Sequence, residues 1–141
     1  MFSKKYIIAL ILVIVVMGTV TQVSVAKESS KIGGINFNIP DGFEKVHSGA
    51  GSDKIDGIEY AVNNHTFEND DGDVIEISVK KPTGSTSQLN IPSGASEKTI
   101  NGIKGYSTTL DGLPAFMYIQ DGRVVSISAS NASLIDEVLT P

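Results

Sequence analysis

Asp71-Gly72-Asp73-Val74-Ile75-Glu76-Ile77-Ser78-Val79-Lys80 is the stretch that decides the fold class. Ile75, Ile77 and Val79 alternate with Glu76, Ser78 and Lys80. A period of two with one polar face marks a β-strand half buried in a sheet. The Asp-Gly pair ahead of it suits a tight turn, because Gly accepts positive φ and Asp tolerates it. A second stretch, Asp121-Gly122-Arg123-Val124-Val125-Ser126-Ile127-Ser128, repeats the design, with Val125, Ile127 and Ala129 alternating with Ser126 and Ser128.

Outward from these two hairpins, Asp41-Gly42, Asp56-Gly57, Asn101-Gly102 and Asp111-Gly112 punctuate the chain in the same way. Strands are expected over 58–67 and 74–80 about the first hairpin, and over 115–120 and 123–129 about the second. Residues 35–39 and 103–110 read as two more. At the C-terminus, Asn131 or Ser133 can cap a short helix, and Ser133 with Asp136 fits the capping-box spacing. Leu134, Ile135, Val138 and Leu139 would share one side of it, while Asp136 and Glu137 face water. So short a helix needs the sheet to hold it. The expected fold is α+β: a single antiparallel sheet of about five or six strands, built from hairpins, with the C-terminal helix on one face.

A weak internal symmetry runs through the chain. Asn38-Ile39-Pro40-Asp41-Gly42 echoes Asn90-Ile91-Pro92-Ser93-Gly94, Ile55-Asp56-Gly57-Ile58 echoes Ile100-Asn101-Gly102-Ile103, and the two opening stretches echo each other, all in the same order. A duplicated unit would explain this, and so would hairpin chemistry alone. Residues 82–96 are polar, with no charge before Glu97, no aromatic and no His, and read as an exposed loop.

The N-terminus carries an address. Lys4 and Lys5 precede an unbroken apolar run over 6–17, and Ser24-Val25-Ala26 places small residues before a cut at Lys27. That is the layout of an export signal. Residues 6–26 also carry no charge, and about 20 mostly apolar residues can span a bilayer. The segment 1–26 is therefore a cleaved signal or a membrane anchor, with 27–33 a linker and 34–141 one extracytoplasmic domain, secreted or held on the outer side of the membrane. Any membrane contact would run through residues 6–26 left uncleaved.

Composition narrows the functions open to such a domain. The 141 residues carry a net charge of −5, and two of the 11 basic residues lie in the leading segment while all 16 acidic ones follow it. Nucleic acid is disfavoured as a partner, since binding it depends on clustered Lys and Arg. The chain has no Cys and no Trp. Disulfide staples, thiolate metal sites and Cys nucleophiles are thereby excluded.

Candidate chemistry is sparse. His47 and His65 are the histidines, and no Gly-x-Ser-x-Gly elbow accompanies them. Glu68, Asn69, Asp70, Asp71 and Asp73, followed by Glu76, crowd one turn, and Ca²⁺ favours such oxygens, but the EF-hand spacing is not met. A solvated hairpin tip accounts for the same residues. Neither a catalytic centre, a metal site nor a cofactor is expected. Asn64-His65-Thr66 and Asn131-Ala132-Ser133 are glycosylation sequons, with Asn64 the better acceptor because Asn131 can be occupied as a helix cap.

Phe37-Asn38-Ile39-Pro40-Asp41-Gly42-Phe43, the central Asp-Gly hairpin, Ile100-Asn101-Gly102-Ile103-Lys104-Gly105-Tyr106 and the closing Asp121-Gly122 hairpin carry a resemblance. Over residues 34–139 the chain resembles small exported proteins of methanogenic archaea that run from an extended Phe-x-Ile-Pro-x-Gly-Phe stretch into a meander and a terminal helix. The resemblance implies fold and compartment and supplies no active site. The expected function is a non-catalytic domain at the cell envelope, binding a surface component or a protein partner, or forming a structural part of an assembly. The alternative is a Ca²⁺-dependent or sugar-processing envelope enzyme.

Protein recovered from its native host is expected to begin at or near Lys27, or else to stay intact in membranes, as read by mass spectrometry. Full-length protein soluble in the cytoplasm would contradict the export reading.

Overall fold

The computed structural model describes residues 28–84 and 89–140; the expected signal or anchor over 1–26 lies outside them. Among the described residues nine strands form: β1 (Glu28–Ile32), β2 (Ile35–Ile39), β3 (Glu44–Ile55), β4 (Ile58–Glu68), β5 (Val74–Pro82), β6 (Ser96–Ile100), β7 (Ile103–Leu110), β8 (Leu113–Gln120) and β9 (Arg123–Ala129). One helix, α1 (Ala132–Val138), follows. β1 and β2 pair as a separate hairpin, and the other seven strands form one antiparallel sheet in the order β3-β4-β5-β9-β8-β7-β6.

The turn residues explain the connections. Asp56, Asn101, Asp111 and Asp121 adopt φ of 50–52°, each followed by a Gly at positive φ. Two successive positive-φ residues make the type I′ turn whose twist matches that of the flanking strands. The Asp71-Gly72 turn is built differently. Asn69 Oδ1 accepts from the backbone N–H of Asp71 at 3.0 Å and of Asp73 at 2.9 Å, so one side chain organises the loop.

The sheet consists of two meanders joined where β5 pairs with β9, Ile77 lying opposite Ile127. In an antiparallel pair the local two-fold axis between opposed residues carries Ile77 onto Ile127 and therefore Asp71 onto Asp121. The third sequence echo thus coincides with the symmetry of the central pair. The first echo is one turn used twice: Phe43 N–H donates to Pro40 O at 3.3 Å and Ala95 N–H to Pro92 O at 3.2 Å, with Gly42 and Gly94 at φ 90° and 85°. Each copy leads into an edge strand, and the second echo reverses each edge strand into its neighbour. The halves differ by one strand, since β8 has no counterpart in this alignment.

One face of the sheet is the core. Ile75, Ile77, Val79, Val125, Ile127 and Ala129 have no exposed surface, and Phe116 and Tyr118 of β8 extend the same face. Gly105 on β7 lets the Phe116 ring lie across it, because a Cβ there would stand 2.7 Å from Phe116 Cζ. Two elements cover this face. Helix α1 contributes Leu134, Ile135 and Val138, and the β1–β2 hairpin contributes Ile32, Ile35, Phe37 and Ile39. The hairpin tip docks tightly: Gly33 has φ +56°, and a Cβ on it would sit 2.7 Å from Val79 Cγ1.

The structure departs from the expected fold in strand number. The main sheet has seven strands rather than five or six. Of the segment 27–33, expected to be a linker, Glu28–Ile32 form β1, with Ile32 only 1 % exposed. A seven-residue helix is about 10 Å long at 1.5 Å per residue, too short to cover a seven-stranded sheet, so the β1–β2 hairpin completes the lid. Asn131 is the N-cap of α1 and its side chain accepts from the Leu134 N–H at 3.3 Å. Ser133 lies inside the helix, and its hydroxyl donates to Asn131 Oδ1. The strand pairing runs one step past Ala129, where Ser130 Oγ accepts from Val74 N–H at 2.7 Å.

Ile77→Ala and Ile127→Ala are each expected to destabilise the fold by about 2–5 kcal/mol, from lost burial plus the cavity left behind. Urea denaturation followed by circular dichroism measures this. Because the two residues oppose each other, the double variant should depart from additivity.

Candidate functional site

The other face of the sheet is open and mixed in character. Alternation that buries Ile77 and Ile127 turns Ser78 and Ser126 to this side, directly opposite one another. Lys80 stands opposite Val124, and Met117 of β8 stands opposite Ser126. These residues floor a cleft of 310 Å³. Its apolar walls are Ile55, Tyr60, Leu110, Met117 and Val124, and Asn90 of the β5–β6 connection reaches its rim.

The wall exists because the β3–β4 hairpin is longer than its counterpart across the sheet. β3 and β4 hold 12 and 11 residues, whereas β7 and β8 hold eight each. Ile55 on β3 and Leu110 on β7 lie five strand spacings apart, roughly 24 Å on a flat sheet. Both line one cleft, so the overhanging end of β3–β4 bends over the face. Tyr60 is closed in by this fold and is 2 % exposed. On the same face Leu89 lies near Glu97, Tyr106 and Ile119.

A shallower groove of 530 Å³ continues from the cleft through Ser78 and Lys80 toward β3. His47, Gly49, Gly51, Asp53 and Asn64 line it. Asp53 Oδ2 and Lys80 Nζ are 3.4 Å apart where the two compartments meet. No atom lies within 4 Å of where a Gly51 Cβ would be, so the strand backbone is bare there. The site thus has an apolar end, a hydroxyl-bearing floor and a polar end.

The two histidines are not brought together. His47 pairs with Thr66 on β4, so it shares the open face, whereas His65 turns to the core side opposite Ile77. His47 stands on β3. His65 packs near Phe67 with ring centroids 6.1 Å apart, and its Nδ1 is buried without a hydrogen-bond partner. Burial, aided by the positive charge of Lys45, lowers its pKa from the usual 6.5.

The acidic turn is organised by Asn69, whose Nδ2 also donates to Asp73 Oδ2 at 3.3 Å. Among the described residues, no three of His, Cys, Asp and Glu come together to hold a metal ion. Of the sequon residues, Asn64 is exposed on the open face within β4, and Asn131 is engaged as the helix cap. Sequence reasoning passed over Ser78, Lys80, Ser126, Met117 and Tyr60. The signal available was the polar face of β5 and β9, which alternation alone marks as solvent-facing.

Lowering of the His65 pKa by folding means that the unfolded chain takes up a proton more readily. The stability this contributes is present above pH of about 6.5 and is lost as pH falls through that value toward the lowered folded pKa. Denaturant midpoints compared on either side of this window should fall more for the native chain than for His65→Gln. Equal falls would show that His65 is not the group responsible.

No protein-family model, curated protein or solved structure matches this chain.

Proposed function

We propose that the chain is a non-catalytic extracytoplasmic domain that acts at the cell envelope by binding. The observation that carries the reading is the two-part site on the open face, an apolar cleft running into a polar groove. Small-molecule sites have this make-up, apolar walls with a few placed polar groups, and begin at about 300 Å³. The Lys-Lys start and apolar run of the N-terminus supply the envelope address.

The arrangement favours binding over turnover. A serine nucleophile needs a base within hydrogen-bond reach. Ser78 is on β5 and His47 on β3, two strand spacings or about 10 Å apart in backbone. Asn64 of β4, paired with Ser78 on one side and Gly49 on the other, stands between them.

The test is capture from envelope extracts of the native host, using the native chain and two cleft variants, Ser126→Phe and Met117→Lys. The native chain should retain an envelope component without consuming it, and both variants should lose it while keeping a native near-ultraviolet circular dichroism spectrum. Turnover of an envelope polymer that disappears in His47→Ala, with the fold intact, would overturn the non-catalytic reading. Retention unchanged in both cleft variants would overturn the site.

A further inference from the structure

We propose that the open face takes a single-chain amphiphile with an uncharged polyol head, the chemistry of an alkyl glycoside. This rests on the binding reading above and names the ligand class of the same site.

The apolar part of the ligand follows from the cleft. Tyr60, Leu110, Met117 and Val124 come from four different strands and surround one space of 310 Å³. The space is roofed on one side by the β3–β4 overhang and opens toward Ser78 and Lys80. A chain of methylenes seated there would lose apolar surface to the walls, the main source of its binding energy. The cleft shares Ser78 and Lys80 with the polar groove, so a ligand that spans both compartments carries a polar end.

The charge balance at the junction selects the kind of polar head. Lys80 and Asp53 face each other at 3.4 Å and cancel in net charge. An anionic head would meet the Asp53 carboxylate beside Lys80, and a cationic one would meet Lys80 beside Asp53. Hydroxyl groups suit both, since each can donate to the carboxylate and accept from the ammonium. Asn64 adds an amide with both donor and acceptor capacity, and Ser78 adds a hydroxyl shared by the two compartments. Gly49 and Gly51 complete the fit. Alternate positions of β3 that face the groove lack side chains, and strand glycines mark places where a ligand can approach the backbone closely. Gly49 in particular leaves Asn64 Oδ1 uncovered, for a Cβ there would come within 3.0 Å of it.

Met117 provides a residue-specific readout. The other two methionines are Met1 and Met17, so sulfoxide formation in the folded domain reports on this cleft alone. Peroxide converts the Met117 thioether to its sulfoxide, and a ligand in the cleft shields it. The experiment uses the full chain in phospholipid nanodiscs, with octyl glucoside below its micelle threshold, octanoate and glucose as probes, and mass spectrometry of the Met117 peptide. Octyl glucoside should protect at concentrations about tenfold below those of octanoate or glucose. Asn64→Ala should remove its advantage over octanoate and leave the octanoate response unchanged. Protection by octanoate at equal or lower concentration would overturn the polyol head. Failure of all three probes to slow oxidation would overturn the amphiphile, whereas envelope capture that depends on Ser126 would leave the binding reading standing.

Discussion

The pairing of β5 with β9 is the constraint on which the rest of the molecule depends. It joins two locally closed meanders, and it sets three apolar residues of each strand side by side under the β1–β2 hairpin and α1. The same register places Ser78 against Ser126 on the far side. Because side chains alternate, a slip of one residue would exchange the two faces, exposing Ile77 and burying Ser78. Core and cleft are therefore two consequences of a single choice of partner residues.

That dual role explains the make-up of the open face. The core needs branched aliphatic residues at every second position of β5 and β9, which leaves the intervening positions free to vary. They are filled by serines, Lys80, Glu76 and Val124 rather than by a uniform row of charges. The apolar patch they include is closed from above by the overhanging hairpin, and so Tyr60 and Val124 are buried although they lie outside the main core.

What could be read from the sequence was whatever is local. Asx-Gly turns and the alternation in β5 and β9 depend on neighbours within a few residues, and they mark the strands that have one buried face. The strands that escaped notice are those with little burial. β3 is exposed along nearly its whole length, β6 buries only Ile100, and β1 buries only Ile32. A period-two signal arises from the contrast between faces, and an edge strand open to water on both sides has no contrast to show. Helix α1 was legible because its cap and its three buried residues lie within one short stretch. The cleft was not, since each of six strands lends it only one or two residues. Its depth comes from the unequal length of two hairpins far apart in sequence.

The same central pairing also governs how the chain reaches this state. The backbone of Val74 is bonded to Ser130, 56 positions away, while the hairpins on either side close through two-residue turns, or five residues between β4 and β5. Local loops close at lower entropic cost, and distant contacts form more slowly. The two meanders are therefore expected to assemble before they meet. In that interval β5 and β9 each present a free strand edge rich in Val and Ile, a template on which another copy can pair as readily as the proper partner. Encounter between chains grows with concentration, whereas encounter within one chain does not. Dilution during refolding is therefore expected to raise the yield of native protein.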